Sequence, residues 1–316
     1  MTERPTTLDY VKKAIIGGAS CAVAGGSLNP VDVVKIRMMN DSPHFPWPER
    51  SIWASIRRLY QEEGLAGYGR GMTATLMRES IYSTIRFGSY EPILDLLHST
   101  SRASSQQSHG ASNLAPPSVK FASALLSGAL GAIIANPTDL IKVNLQSVLP
   151  PTAASSTGAA IPPPLPYTTA LGGLRHIYAT EGVRKGLYRG GLFTTARAAI
   201  LTSAVIGSYD SIKNNILKEK FGMQDGNLLF VTCSMLAGVI TTTAANPVDV
   251  LKTKYMSDTV GRYASPLQCA VGAVQEGGFK IFMKGWTPAY MRIAPYTVLA
   301  FVLMEQARLL LGMKTL

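Results

Sequence analysis

Apolar residues dominate six long segments of the chain, and crossing a bilayer takes roughly 20 such residues. The segments are also rich in Gly, Ala, Ser and Thr, and each carries charges. Two runs, FASALLSGALGAIIANP (121–137) and LLFVTCSMLAGVITTTAANP (228–247), leave no polar face for water to wet. The pattern therefore favours membrane-spanning helices over a soluble helical repeat. The six segments are residues 12–39, 72–98, 118–147, 191–218, 227–256 and 286–312.

Small residues recur at a spacing of four in these segments, as at Gly18, Ala22 and Gly26. Residues four apart lie on one face of a helix, so the spacing predicts close helix packing. Between the two segments of each consecutive pair lies a shorter amphipathic stretch. We interpret these stretches as helices lying along the membrane surface. They are residues 51–64, 168–182 and 266–278.

A ten-residue motif at the end of each odd-numbered segment indicates an internal repeat. It reads NPVDVVKIRM from Asn29, NPTDLIKVNL from Asn136 and NPVDVLKTKY from Asn246. A fixed period of this length is the signature of a repeat architecture. The sequence thus predicts three repeats, at residues 1–98, 117–219 and 226–316, each with two spanning helices and one surface helix.

Composition narrows the function classes. The formal net charge is +11, but only 16% of residues are charged and the longest basic runs are pairs, so nucleic acid is not an expected partner. Three cysteines and four histidines are scattered without metal-ligand or disulfide spacing. No nucleophile–base constellation is visible. We expect no metal, no cofactor and no enzymatic activity.

An arginine recurs in phase in all three even-numbered segments, seven residues after a basic-Gly step. Seven residues correspond to about 10 Å of helix rise, which places the guanidinium near mid-depth. An arginine there costs about 2.5–3.5 kcal/mol unless it faces water or an anion. The alternatives are snorkelling or pairing with a carboxylate, but few carboxylates are expected at that depth. A shared water-filled cavity that binds a multiply charged oxyanion is the favoured interpretation. The arginines are Arg78, Arg197 and Arg292.

The proline motif has a second interpretation beyond helix breaking. A proline kink could lean the C-terminal halves of the three odd helices together, so that acids and bases of neighbouring repeats form a ring of ion pairs. The alternative is an ordinary pair within one helix, three residues apart. The Asn before each proline could donate to a carbonyl freed by the kink, or only break the helix. The ring residues are Asp32, Lys35, Asp139, Lys142, Asp249 and Lys252.

These motifs resemble the mitochondrial carrier family, whose signature P-x-[DE]-x-x-[KR]-x-[KR] is followed by [DE]-G and an aromatic-basic-Gly step. The resemblance implies an all-α membrane protein with six helices in three pseudo-symmetric repeats, forming a barrel around a central cavity. It implies three short helices on the matrix side, and alternating access between two gates in the mitochondrial inner membrane. The matrix gate is the ring above, braced by Gln146. The cytosolic gate falls on Tyr90, Glu91, Tyr209, Asp210, Lys213, Glu305 and Arg308.

Within that family the even helices look most like the dicarboxylate, oxoglutarate and uncoupling-protein branch. The resemblance places substrate contacts at the three arginines, at Ala198, at a second base near Arg86, and at Val205, where relatives often have Gln or Glu. It implies a carboxylate substrate, a monomer with bound cardiolipin, and cytosolic termini. Counting loop charges does not decide the orientation.

Three functions stay open from the sequence. The first is a secondary transporter of di- or tricarboxylates, which the family resemblance implies is an exchanger. The second is an uncoupling-type carrier that leaks protons. The third is a non-transporting scaffold on the same fold, which the missing gate base at Leu94 would allow.

Overall fold

A computed structural model describes residues 7–40, 51–104, 116–147, 165–212, 227–258 and 261–310. Within these ranges the chain is helical and contains no β-strand. A π-helical turn (Val183–Leu187) and a 3-10 helix (Phe279–Met283) supplement the α-helices. The α-helices are α1 (Thr7–Ser27), α2 (Asn29–Asn40), α3 (Ile52–Tyr68), α4 (Met72–Ser104), α5 (Pro117–Ser147), α6 (Ala170–Thr180), α7 (Gly191–Ser211), α8 (Asn227–Ser257), α9 (Pro266–Gly277) and α10 (Trp286–Leu310).

Six rods correspond to the six apolar segments: the α1–α2 pair, α4, α5, α7, α8 and α10. The first rod bends by 65° between α1 and α2, next to Pro30, whereas α5 and α8 continue through Pro137 and Pro247. By length and composition alone, only α5 and the segment Phe279–Leu310 would pass as membrane spans among the described residues, or three if the bent pair counts as one. α4 reaches Ser104, six residues beyond the predicted end of its segment.

The rods form a closed ring. α1 packs against α4, α4 against α5, α5 against α7, α7 against α8, α8 against α10, and α10 returns to α1. The outer surface carries many large apolar side chains, such as Val298 and Phe301, while Ser, Thr, Asn and charged residues are buried together with an apolar core. Such an outer surface suits contact with lipid rather than water. The arrangement is the predicted three-repeat all-α barrel.

Close packing between neighbouring rods depends on the small residues. A Cβ atom built on Gly18 would lie 3.2 Å from the backbone oxygen of Ser80 and still closer to the side chain of Thr84. On the other face of α4, a Cβ on Gly131 would lie 3.0 Å from the backbone oxygen of Tyr82. Glycine on α1 and α5 therefore allows α4 to approach both helices.

The three surface helices α3, α6 and α9 lie where the amphipathic stretches predicted them. Two have side-chain N-caps, since Thr169 accepts from the backbone nitrogen of Gly172 and Ser265 accepts from that of Gln268, each at 3.2 Å. Their outer faces carry exposed apolar residues, among them Trp53. This exposure fits helices that lie along a membrane surface.

The Asn before each proline does not bond a carbonyl freed by the kink. Instead, the Asn29 side chain donates to the backbone oxygens of Tyr68 and Arg70, at 2.8 and 3.1 Å, in the turn that leads into α4. The contact joins the proline motif of the odd rod to the start of the even rod in the same repeat. The equivalent bonds run from Asn136 to Leu187 (3.0 Å) and from Asn246 to Lys284 (3.2 Å).

Candidate functional site

Three ion pairs join the odd rods into a ring at the level of the proline motif. Each pairs the acid of one repeat with the lysine of another, so the alternative pair within one helix is not what forms. The side chains are at most 12% exposed. The pairs are Lys142–Asp32 (2.7 Å), Lys35–Asp249 (2.6 Å) and Lys252–Asp139.

The three cavity arginines bond to the same aspartates. The expectation that few carboxylates lie at their depth is wrong, because each arginine approaches the Oδ1 atom of an aspartate whose Oδ2 atom is bound by a lysine. Each shared aspartate therefore lies within reach of both the ring lysine and the cavity arginine. The contacts are Arg292–Asp32 (2.9 Å), Arg78–Asp139 (3.5 Å) and Arg197–Asp249.

Each ring aspartate therefore contacts two cations, one lysine and one arginine. An anion that draws an arginine toward itself removes one of the two cations that hold a ring aspartate. The arginine layer and the ring are therefore coupled through three shared carboxylates.

Above the ring lies a cavity of about 360 Å³. It shares lining residues with a smaller space of about 80 Å³ within the ring. It extends past the arginines toward the C-terminal ends of the even rods, where Arg86, Thr202 and Tyr296 line it. Seven basic and four acidic side chains line the two spaces, an excess of three positive charges among the described residues. This excess suits a multiply charged anion.

The predicted contact residues fall at this cavity where the structure describes them. All three arginines, Ala198 and Arg86 line it. The guanidiniums of Arg78 and Arg86 lie 4.9 and 6.0 Å from the ring centroid of Tyr82, which stands between them on α4. Val205 lies on α7, but its side chain is outside what the structure describes.

Sequence reasoning missed Glu79. Its carboxylate is 1% exposed and accepts hydrogen bonds from Arg78 (2.7 Å), Arg292 (3.2 Å) and the Tyr296 hydroxyl (3.1 Å). The signal was available, because an acid directly after a recurrent intramembrane arginine is itself costly without a partner. Glu79 is not part of the threefold pattern, because Ala198 and Ile293 take the equivalent positions in the other two even segments.

A second layer below the ring joins each odd rod to the even rod of another repeat. Gly71, with φ of 67°, adopts a backbone conformation that favours glycine, and a Cβ atom there would lie 2.9 Å from Cγ of Gln146. Gln146 also donates to the side chains of Asn29 (2.9 Å) and Thr75 (3.2 Å). In the other two repeats this position is methionine, and the equivalent contacts are Met256 with Gly190 and Met39 with Gly285.

The third repeat lacks one polar contact of this layer. The Thr75 hydroxyl donates to Oδ1 of Asn29 at 2.7 Å, and the second repeat has the same bond. Ala289 holds this position in the third repeat, and the buried Oδ1 of Asn246 accepts no hydrogen bond among the described residues.

The surface helix of the third repeat is held by an ion pair between Lys254 and Glu276. Burial raises the pKa of the Glu276 carboxyl, but hydrogen bonds from Lys254 and from Tyr263 outweigh it, so the pKa lies below its usual value. In the second repeat Asn144 replaces the corresponding base and donates to the Tyr167 hydroxyl at 3.2 Å.

The predicted cytosolic gate is only partly described, and it stays a prediction. Glu91 pairs with Lys13 on α1 at 2.9 Å. The side chains of Tyr209 and Asp210 are not described, and Lys213 lies outside the described residues. The remaining members, Tyr90, Glu305 and Arg308, lie on α4 and α10. The described residues contain no cluster of His, Cys, Asp and Glu able to hold a metal.

The sequence profile of the family described as Mitochondrial carrier protein matches residues 6–101, 114–220 and 226–315. The chain belongs to this family, which places it as a multi-pass protein of the mitochondrial inner membrane.

Among individual relatives, the Mitochondrial substrate carrier family protein ucpB of Dictyostelium discoideum is 36% identical, with 96% of each chain covered. Mitochondrial uncoupling protein 4 of Arabidopsis thaliana is 32% identical over 95% of this chain and 98% of its own. Mitochondrial citrate transporter F of Aspergillus niger is 30% identical over 92% and 86%. Further similar relatives are named as dicarboxylate and as 2-oxoglutarate/malate carriers.

Proposed function

We propose that this carrier exchanges di- or tricarboxylates across the inner mitochondrial membrane by alternating access. The observation that carries the proposal is the layer of three arginines, one from each repeat, facing a single cavity with an excess of positive charge. Guanidinium groups match carboxylates in shape and can bind them through two hydrogen bonds. Names of relatives that include citrate and dicarboxylate transporters support the same substrate class.

The arrangement of the gates supports alternating access. The ring of Lys–Asp pairs closes one end of the barrel, while the cavity extends toward the other end. With the orientation of the family, the closed end is the matrix side, and the state is open to the cytosol. A substrate carboxylate that bonds Arg197 competes with Asp249 for its guanidinium, and the weakened ring can then open toward the matrix. The three pairs should open together, because breaking one buried ion pair alone leaves a buried charge without a partner.

The test is transport by the purified protein in liposomes. Vesicles loaded with malate should take up labelled malate, oxaloacetate or citrate, and uptake should vanish when the lumen holds no counter-substrate. A melting-temperature screen against a panel of carboxylates should show stabilisation by the transported acids, since a ligand that binds only the folded state raises stability. Absence of uptake and of stabilisation for every acid would refute the proposal and favour a non-transporting scaffold.

A second candidate, a proton-leak carrier, is favoured by the similarity to an uncoupling protein at 32% identity. It predicts a nucleotide-sensitive proton leak in liposomes without carboxylate exchange. The same vesicles, loaded with a pH indicator, distinguish the two functions.

Two further points extend the proposal from family resemblance alone. We expect the carrier to work as a monomer and to retain cardiolipin as a bound lipid. Mass determination of the purified protein, with lipid extraction, tests both.

A further inference from the structure

Glu79 breaks the three-fold symmetry of the cavity. The residues that follow the other two arginines are Ala198 and Ile293, which carry no charge. Glu79 is nevertheless almost completely buried, and both its carboxylate oxygens accept hydrogen bonds. The acid is therefore a feature of this cavity and not part of the repeated scaffold.

The neighbouring helix is shaped to hold the Glu79 side chain in place. A Cβ atom built on Gly25 of α1 would lie 2.6 Å from Cγ of Glu79, so the glycine provides the space in which the stem lies. At its far end the carboxylate bonds to Arg78 and Arg292 at once. A side chain held at both ends keeps its charge between these two arginines.

As a consequence, the three arginines differ in how many protein carboxylates they already contact. Arg78 and Arg292 each contact two carboxylates, Glu79 and a ring aspartate, and each also stacks near a tyrosine four residues on. Among the described carboxylates Arg197 contacts one, Asp249. It has Leu201 at the position of the tyrosine and is the most exposed of the three, at 25%.

One further cation of the cavity is available for substrate. Arg86 lies two helical turns beyond Arg78 on the same rod and forms no ion pair with a carboxylate whose side chain is described. Arg86 and Arg197 together therefore present two guanidiniums with fewer carboxylate contacts than Arg78 and Arg292 have. A third substrate carboxylate would have to lie at Arg78 and Arg292, against the charge of Glu79.

We propose that Glu79 is a built-in carboxylate that fills the position between Arg78 and Arg292, so that the carrier prefers a dicarboxylate, held by Arg197 and Arg86, to a tricarboxylate. This inference rests on the proposed carboxylate exchange and assigns the charge of its substrate. Two carboxylates close together in a water-poor site repel each other strongly, which is the physical basis of the discrimination.

The test compares Glu79→Gln with the wild type in liposomes, using homo-exchange of labelled malate and of labelled citrate. Glutamine keeps the size and an acceptor oxygen but removes the charge. The ratio of kcat/KM for citrate to that for malate should rise about tenfold or more, as expected when one hydrogen bond to a charged group becomes available. Glu79→Asp, which keeps the charge, should stay near the wild-type ratio.

Asp95→Asn is the matched control, because Asp95 is an exposed acid on the same helix and does not line the cavity. It should leave both rates unchanged. If Glu79→Gln does not transport, melting-temperature titrations with malate and citrate measure the binding preference of the purified variant directly, and the same shift toward citrate is expected.

Three outcomes are informative in different ways. A wild type that exchanges neither acid refutes the proposed function itself. A wild type that exchanges malate, together with a variant whose citrate-to-malate ratio stays within twofold in transport and binding, refutes only the role of Glu79. A wild type that prefers citrate to malate also overturns the inference.

Discussion

Reversing the charge of Asp32 should destabilise the carrier strongly, and reversing Lys142 as well should restore part of the loss. The two side chains are 3% and 7% exposed and meet at 2.7 Å, so Asp32→Lys places two ammonium groups together where water is scarce. Removing one partner of a buried pair costs about 3–5 kcal/mol. At about 2–4 °C per kcal/mol, the melting temperature should fall by about 10 °C.

The double variant Asp32→Lys/Lys142→Asp restores one acid and one base at the same contact. Recovery should be incomplete, because Arg292 also bonds Asp32 and would then face the introduced lysine. The expected coupling energy is about 1–3 kcal/mol, obtained from the two single variants and the double. Melting temperature in detergent gives the stability cycle, and exchange rate in liposomes gives the functional one.

The control cycle combines Asp32→Lys with Lys35→Asp. Lys35 lies one turn from Asp32 but bonds Asp249. These effects should therefore add, without rescue. Coupling in the control cycle and additivity in the Asp32–Lys142 cycle would refute the ring and support a pair within one helix.

Arg197→Ala should abolish carboxylate exchange while the protein stays folded, because the arginine faces the cavity; normal transport by this variant would remove it from the substrate site. Ala289→Thr should raise the melting temperature by about 2–4 °C, since a hydroxyl there can donate to the buried Oδ1 of Asn246, and an unsatisfied buried acceptor costs about 1–3 kcal/mol; no change would indicate that this oxygen is already hydrated. Gly71→Ala should lower the free energy of unfolding by at least 1 kcal/mol more than Gly182→Ala does. Both glycines have positive φ, but of the two only Gly71 has a side chain within 4 Å. Equal melting temperatures of the two variants would contradict the packing argument.

The sequence by itself determined the architecture, because the information is local and repeated three times. Apolar segments of bilayer length, the period of the NP motif and the phase of the arginines each depend only on residue type and spacing. They place the six rods, the three surface helices and a cavity without knowledge of any contact.

The partners of the charged residues could not be obtained in this way. Asp32 has Lys35 three residues on in the chain, yet it bonds Lys142 and Arg292 from two other repeats. Sequence spacing measures distance along one helix, whereas these pairs depend on the handedness of the barrel and on the bend beside Pro30. The arginine–aspartate contacts likewise join helices of different repeats, and spacing along one helix does not predict them.

Glu79 shows the limit most clearly. The arginines stand out in the sequence because they occur in all three repeats, whereas an acid that occurs in one repeat has no such signal. Only the packing of α1 and α10 against α4 reveals that this side chain lies between two arginines over a glycine that makes room for it. Repetition in the sequence defines what the three repeats share, while substrate choice depends on how they differ, and that difference becomes visible only when the repeats surround one cavity.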